Sequence, residues 1–183
     1  MNKTVIVYMA DGMEMCECLL TVDILRRAGI NVITASVMGR KDVKSSHQVV
    51  IAADMLAEDV NYSEADMIVL PGGRVGTENL AGSEVVRQQC LEFAANKKAA
   101  AICAAPSVFA GLGLLEGKPA TCHPDFEGKM HGAILTGDSV THSGNIITGQ
   151  GLGATMDFAL YLAEILAGEE TAAGIAQSIC YRM

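Results

Sequence analysis

β-favouring runs alternate with helix-patterned segments along this chain, and that alternation limits the fold more than any other feature. "KTVIVYMA" (3–10) is a continuous apolar run, the pattern of a strand buried on both faces. "CECLLTVDILRRAG" (16–29) follows with Leu20, Ile24 and Ala28 at helical spacing, then arginines and Gly29 as a stop. "INVITAS" (30–36) predicts a second strand, and "SSHQVVIAAD" (45–54) one or two short ones. "ADMIVLPGG" (65–73) is a further strand broken by Pro71-Gly72-Gly73. "SEVVRQQCLEFAANKK" (83–98) reads as a serine-capped helix with Val86, Cys90 and Phe93 on one face. "AAAIC" then gives a short strand and "AAPSVFAGLGLL" a helical segment with Pro106 early. Late in the chain, "GNIITGQG" reads as a strand and "GATMDFALYLAEILAG" as a helix ended by Gly168. β-α-β alternation at this length predicts an open, mostly parallel sheet with helices on both faces, in one domain spanning 1–183.

Composition narrows the function classes. Half the 183 residues are hydrophobic and 19% are charged, which fits a folded chain and excludes disorder. A net charge of −8 with no basic run disfavours nucleic acid or an anionic membrane as partner, and with no Trp there is little for base stacking. Six cysteines at 16, 18, 90, 103, 122 and 180 form no CxxC pair, so spacing gives no zinc or thioredoxin-type signal. The first 14 residues offer too short an h-region, and no small-x-small cleavage site, for a signal peptide. The uncharged run from Ala99 to Leu115 is interrupted by Pro106, Gly111 and Gly113. The expectation is a soluble cytoplasmic protein with free thiols.

In sheets of this kind ligands bind at the carboxyl ends of the strands. Three such ends carry chemistry here: one leads to Glu17, one ends at Gly72-Gly73, and one ends at Cys103. A cysteine between a strand and a helix N-terminus is expected to have a lowered pKa. The amides that follow, from Ala104, would bind an oxyanion. The small residues of "AICAAP" would permit the tight turn of a nucleophile elbow. Two readings stand at this point, because a free cysteine in an apolar stretch also serves as core filler. Glu17 equally suits the first turn of any helix, His123 an ordinary loop, and Gly72-Gly73 a plain turn.

The motifs MIVLPGG (67–73), AAICAAP (100–106) and TCHP (121–124) occur in this order with ADGMEMCE (10–17), VDILRRAGI (22–30), DFEGKMHG (125–132) and TGQGLGATMDFAL (148–160). Together they resemble the ThiJ/PfpI superfamily, within it the branch of the Parkinson-disease-associated deglycase (DJ-one) and the bacterial YajL protein. The resemblance implies a flavodoxin-like three-layer sandwich, usually a homodimer, with Cys103 as nucleophile, Glu17 as the carboxyl group approaching the thiol, His123 nearby, and Gly72 and Gly73 bordering the pocket. It implies a glyoxalase or deglycase acting on a small reactive carbonyl, without metal or organic cofactor, or else a redox-sensing, chaperone-like stress protein. The protease-like branch has His directly after the nucleophile, where Ala104 stands here; amidotransferases use a later His-x-Glu, which neither His131 nor His142 begins.

Four positions depart from the best-known relatives. Cys122 stands where they carry threonine, and is a candidate to resolve an oxidised Cys103 as a disulfide. His47 and Gln150 stand where they carry arginines, and Leu152 where they carry proline. The expectation is a less positive pocket entrance, with His47 restoring charge at low pH.

Overall fold

The computed structural model describes residues 3–181. In chain order the elements are β1 (Thr4–Met9), α1 (Met15–Arg27), β2 (Asn31–Ser36), β3 (Asp42–Lys44), β4 (Val50–Ala52), β5 (Met55–Leu56), β6 (Met67–Leu70), α2 (Arg74–Gly82), α3 (Glu84–Asn96) and β7 (Lys98–Ile102). There follow α4 (Pro106–Gly111), β8 (Pro119–Ala120), β9 (Ile134–Leu135), β10 (Val140–Ser143), β11 (Ile146–Gly149), α5 (Thr155–Ala167) and α6 (Glu169–Ser178).

Seven strands form the central sheet in the order β10-β11-β7-β6-β1-β2-β5. All its neighbours pair parallel except β10, which runs antiparallel to β11 at one edge. β3 and β4 form a separate hairpin, so the 45–54 stretch supplies only one strand of that pair.

Two apolar layers sandwich the sheet. Ile6, Tyr8, Ile68, Leu70 and Ala101 face one layer, closed by Leu80 of α2, Val86, Cys90 and Phe93 of α3, and Phe109 of α4. Val5, Val7, Met9, Met67, Val69 and Ile102 face the other, closed by α1, α5 and α6. Alternation of side chains along each strand produces this division, and burial on both faces explains the unbroken apolar runs. The result is the expected three-layer α/β sandwich.

Several elements differ from the pattern read in the sequence. α2 and α6 are additional helices, and β3, β5, β8, β9 and β10 are additional strands. α4 ends at Gly111, six residues long, and the chain reaches Leu115 through turns. The uncharged 99–115 run is therefore divided between a buried strand, an elbow and a short helix. Among the described residues no helix is long and apolar enough to cross a membrane.

β1 leads to β2 on one side, whereas β6 and β7 lie on the other. The sheet thus has its topological switch between β1 and β6, where such folds open a crevice at the strands' carboxyl ends.

Candidate active site

Cys103 directly follows β7 and adopts φ 66°. A non-glycine residue there is strained by about 1–2 kcal/mol, so the surroundings must hold it. Its N–H donates to the Gly149 carbonyl at the end of β11 (2.9 Å), and its carbonyl accepts from the His123 N–H (2.9 Å). Ala104 and Ala105, both buried, leave room for the bend. The sequence admitted core filler or nucleophile; the backbone makes a tight strand-to-helix turn at Cys103, and the half-buried side chain lines a cavity.

Glu17 reaches the same point from the first turn of α1. It is 1% exposed. One carboxyl oxygen, Oε2, accepts from the Gly72 N–H at 2.8 Å, while Oε1 has no hydrogen-bond partner among the described residues. Burial raises its pKa to about 7, against the opposing effect of its contacts with the Cys103 thiol and the Gly72 amide. The nearby Glu14 adds to the rise.

Gly72 is glycine because the site closes over it. A Cβ there would lie 2.6 Å from both the Cys103 Cβ and the Glu17 Oε2, and 3.0 Å from the Ile102 carbonyl. Gly73 begins α2 at φ 88°, a conformation that glycine adopts without strain. Gly76, one turn later, packs against the Met13 backbone, where a Cβ would meet Met13 Cα at 2.6 Å. These glycines let the β6–α2 connection lie flat on the β1–α1 connection, stitched by the Glu14 N–H donating to the Gly72 carbonyl (2.9 Å).

The expected lowering of the Cys103 pKa is not what the structure gives. The thiol is pushed up to about 12, first by burial and then by the Glu17 carboxylate, against the lowering effect of the Gly73 and Ala104 amides at the sulfur. A six-residue α4 offers a weak dipole, and an adjacent negative carboxyl overrides it. The two groups behave as a coupled pair in which both cannot readily be anionic.

His123 caps the short 3-10 turn Pro124–Lys129, its Nδ1 accepting from the Asp125 N–H at 3.2 Å. That bond places the ring proton on Nε2. Its ring also faces Gly151, where a Cβ would lie 3.4 Å from His123 Cδ2 and 4.0 Å from Cys103 Sγ. Cys103, Glu17, Gly73 and His123 thus line one open cavity of about 630 Å³, together with Glu14, Ser139, Gln150 and Gly151.

The structure does not bring every candidate to this cavity. Cys122 is buried in the opposite apolar layer, its thiol donating to the His123 carbonyl at 3.3 Å, and burial raises its pKa to about 11. His47 lies outside the lining with its side chain 72% exposed, its Nδ1 3.7 Å from Glu14 Oε2. Gln150 does line the cavity, its side-chain amide donating to the Gly137 carbonyl, and Leu152 lines it beside Gly153. Glu14, Ser139 and Gly151 escaped the sequence reading. For Gly151 a signal existed: "GQGLG" follows a strand at its carboxyl end, as Gly72-Gly73 does.

A model of the DJ-1/PfpI family matches residues 3–165. The chain is 38% identical over 187 residues to Protein DJ-1 homolog B of Arabidopsis thaliana; the match covers 99% of this chain and 42% of that protein, so the chain spans under half of that relative's length. It is 31% identical over 170 residues to a Caenorhabditis elegans protein named glutathione-independent glyoxalase DJR-1.2, covering 91% of this chain and 90% of that one. The crystal structure of Drosophila melanogaster DJ-1beta superposes with a TM-score of 0.95 at 35% identity, covering 100% of both chains.

Proposed function

Because the chain belongs to the DJ-1/PfpI family, we propose that it is a cysteine-dependent glyoxalase converting methylglyoxal or glyoxal to 2-hydroxy acids, with glycated adducts as further substrates. The observation that carries this reading is Glu17, a buried carboxyl group in contact with the Cys103 thiol, one oxygen fixed on the Gly72 N–H and the other without a hydrogen-bond partner among the described residues. With its pKa raised to about 7, it exchanges protons in both directions near neutral pH, as general acid–base catalysis requires.

Glu17 takes the Cys103 proton as the sulfur adds to the aldehyde carbon, then returns it to the new oxyanion to give a hemithioacetal. The same carboxylate next removes the C1 proton and delivers it to C2, so C1 is oxidised and C2 reduced within the substrate. Water hydrolyses the resulting thioester, releasing the 2-hydroxy acid and the thiol. The Gly73 and Ala104 amides, which face the sulfur, would stabilise the oxyanion, and His123 Nε2–H can donate to the departing or arriving oxygen.

Lactate production from methylglyoxal by wild type, Cys103→Ser and Glu17→Gln tests this. Turnover in wild type alone is expected, with the pH profile rising through about 7. Wild-type turnover no higher than Cys103→Ser overturns it. A second reading, Cys103 as an oxidation sensor in a stress-response or chaperone-like protein, draws support from the two amides at the sulfur. They and a protonated Glu17 would hold a sulfinate, formed as two peroxide molecules each transfer one oxygen and leave as water. Selective peroxide oxidation of Cys103 in a protein without turnover would favour that reading.

A further inference from the structure

The cavity around Cys103 carries acidic groups and no Lys or Arg among its described lining residues. The cations nearby are engaged elsewhere. Arg74, next to Gly73, has its guanidinium 5.2 Å from the Phe126 ring centroid, and Lys129 lies 5.2 Å from the same ring. Arg40 pairs with Asp11. His47 stands outside the lining, beside Glu14.

Glu14 is the second acid of the lining and is held in place. It caps α1, with Oε1 accepting from the Cys16 N–H at 3.3 Å, while Oε2 accepts from the Ser46 hydroxyl at 3.2 Å. Its side chain is only 15% exposed. The proton transfers assigned to Glu17 do not use it. A carboxylate fixed in a concave wall, with a second acid beyond it and no Lys or Arg among the described lining residues, repels an anion approaching the sulfur.

We propose that Glu14 is a specificity-determining residue that makes this cavity exclude anionic reactants and admit neutral or cationic ones to Cys103. In substrate terms, neutral 2-oxoaldehydes, and adducts on neutral or cationic groups, are selected over oxoaldehydes bearing a carboxylate or phosphate. That substrate assignment rests on the glyoxalase reading; the charge filter itself does not.

Alkylation of Cys103 by iodoacetamide and by iodoacetate separates the two. Both reagents form a carbon–sulfur bond and release iodide, and they differ in charge. Rates are read by mass spectrometry on the peptide containing Cys103, in wild type, Glu14→Gln and Glu14→Ser. The wild-type preference for iodoacetamide is expected to exceed that of the urea-unfolded protein by about tenfold. It should fall several-fold in both variants, and in wild type at 1 M salt, where the screening length is about 3 Å. Serine retains a good helix cap, so agreement between the variants separates lost charge from a frayed α1. A wild-type preference equal to that of the unfolded chain, or one unchanged in both variants, overturns the proposal.

The second arm compares kcat/KM for methylglyoxal with that for 4,5-dioxopentanoate, an oxoaldehyde carrying a carboxylate. The ratio should fall in the same two variants. Charge-selective alkylation without turnover of either compound refutes the enzyme and keeps the filter. Turnover with no charge preference refutes the filter alone.

Discussion

Replacing Glu17 with Gln should leave the protein more stable than wild type at pH 8, with a margin that shrinks towards pH 4.5. Burial moves this carboxyl group from its ordinary 4.5 to about 7. An acid whose pKa is higher in the folded than in the unfolded state binds its proton more tightly when folded. It therefore costs stability as pH rises from the unfolded value through the folded one, here between 4.5 and about 7. At about 1.4 kcal/mol per pKa unit, the full cost above that window is about 3 kcal/mol. Glutamine keeps an oxygen for the Gly72 N–H and never ionises. The Cys103 thiol, pushed up to about 12, stays protonated across the window and adds nothing to the slope. Urea denaturation of both proteins at pH 4.5, 6 and 8 gives the difference in unfolding free energy, in which titrations common to both cancel. That difference should shift by about 3 kcal/mol in favour of the variant between the lowest and highest pH. A difference independent of pH would show that Glu17 ionises without cost, and the proton-exchange role built on its burial would go with it.

Three further perturbations test the local geometry. Gly72→Ala should lower stability by 2 kcal/mol or more, roughly the cost of overpacking, and slow Cys103 alkylation, because its Cβ would overlap Cys103 and Glu17; an unchanged denaturation midpoint would contradict the close approach. Cys103→Gly should be more stable than Cys103→Ala by about 1 kcal/mol, since both lack the sulfur and only alanine keeps the strain at φ 66°; calorimetry showing the reverse order would refute the strain. Gly151→Ala should fold normally, because its φ of 168° suits any residue, yet narrow the cavity beside Sγ. Its KM for phenylglyoxal should rise more than that for methylglyoxal, and equal effects on both would argue against a wall at this position.

The parts legible in the sequence were those with unbroken apolar runs or clear periodicity. β1, β6 and β7 are buried on both faces and can hardly be read otherwise, and α1, α3 and α5 carry regular apolar positions with a cap or a stop at one end. α2 lacked such a signal. It begins directly at the Gly72-Gly73 turn and contains Gly76, whose helical place is secured by packing on Met13, a contact between segments sixty residues apart. α6 was hidden because Gly168 ends one helix and also begins the next. The converging strand ends were foreseeable from β-α-β order, and they brought Cys103, Glu17 and Gly73 together with His123. The thiol's acidity was not foreseeable, since it depends on burial and on a carboxylate contributed from across the crevice. Cys122 and His47 could be singled out by residue type, but which way each faces is fixed by the packing of the 121–126 segment and the β3–β4 hairpin.

The flat contact between the Gly72–Gly76 segment and the turn before α1 has a consequence for how the protein can vary. Where two backbones touch, no side chain is left to adjust, so geometry at the sulfur is tied to positions that admit one residue. Sequence drift is then channelled to the rim, where Ser139, Gln150 and Leu152 can change size and polarity without moving Glu17 or Cys103. In a library covering every substitution, positions 72, 73 and 76 should form a silent band beside permissive columns at 139, 150 and 152. Relatives built this way would diversify what they admit while keeping the same chemistry at the floor.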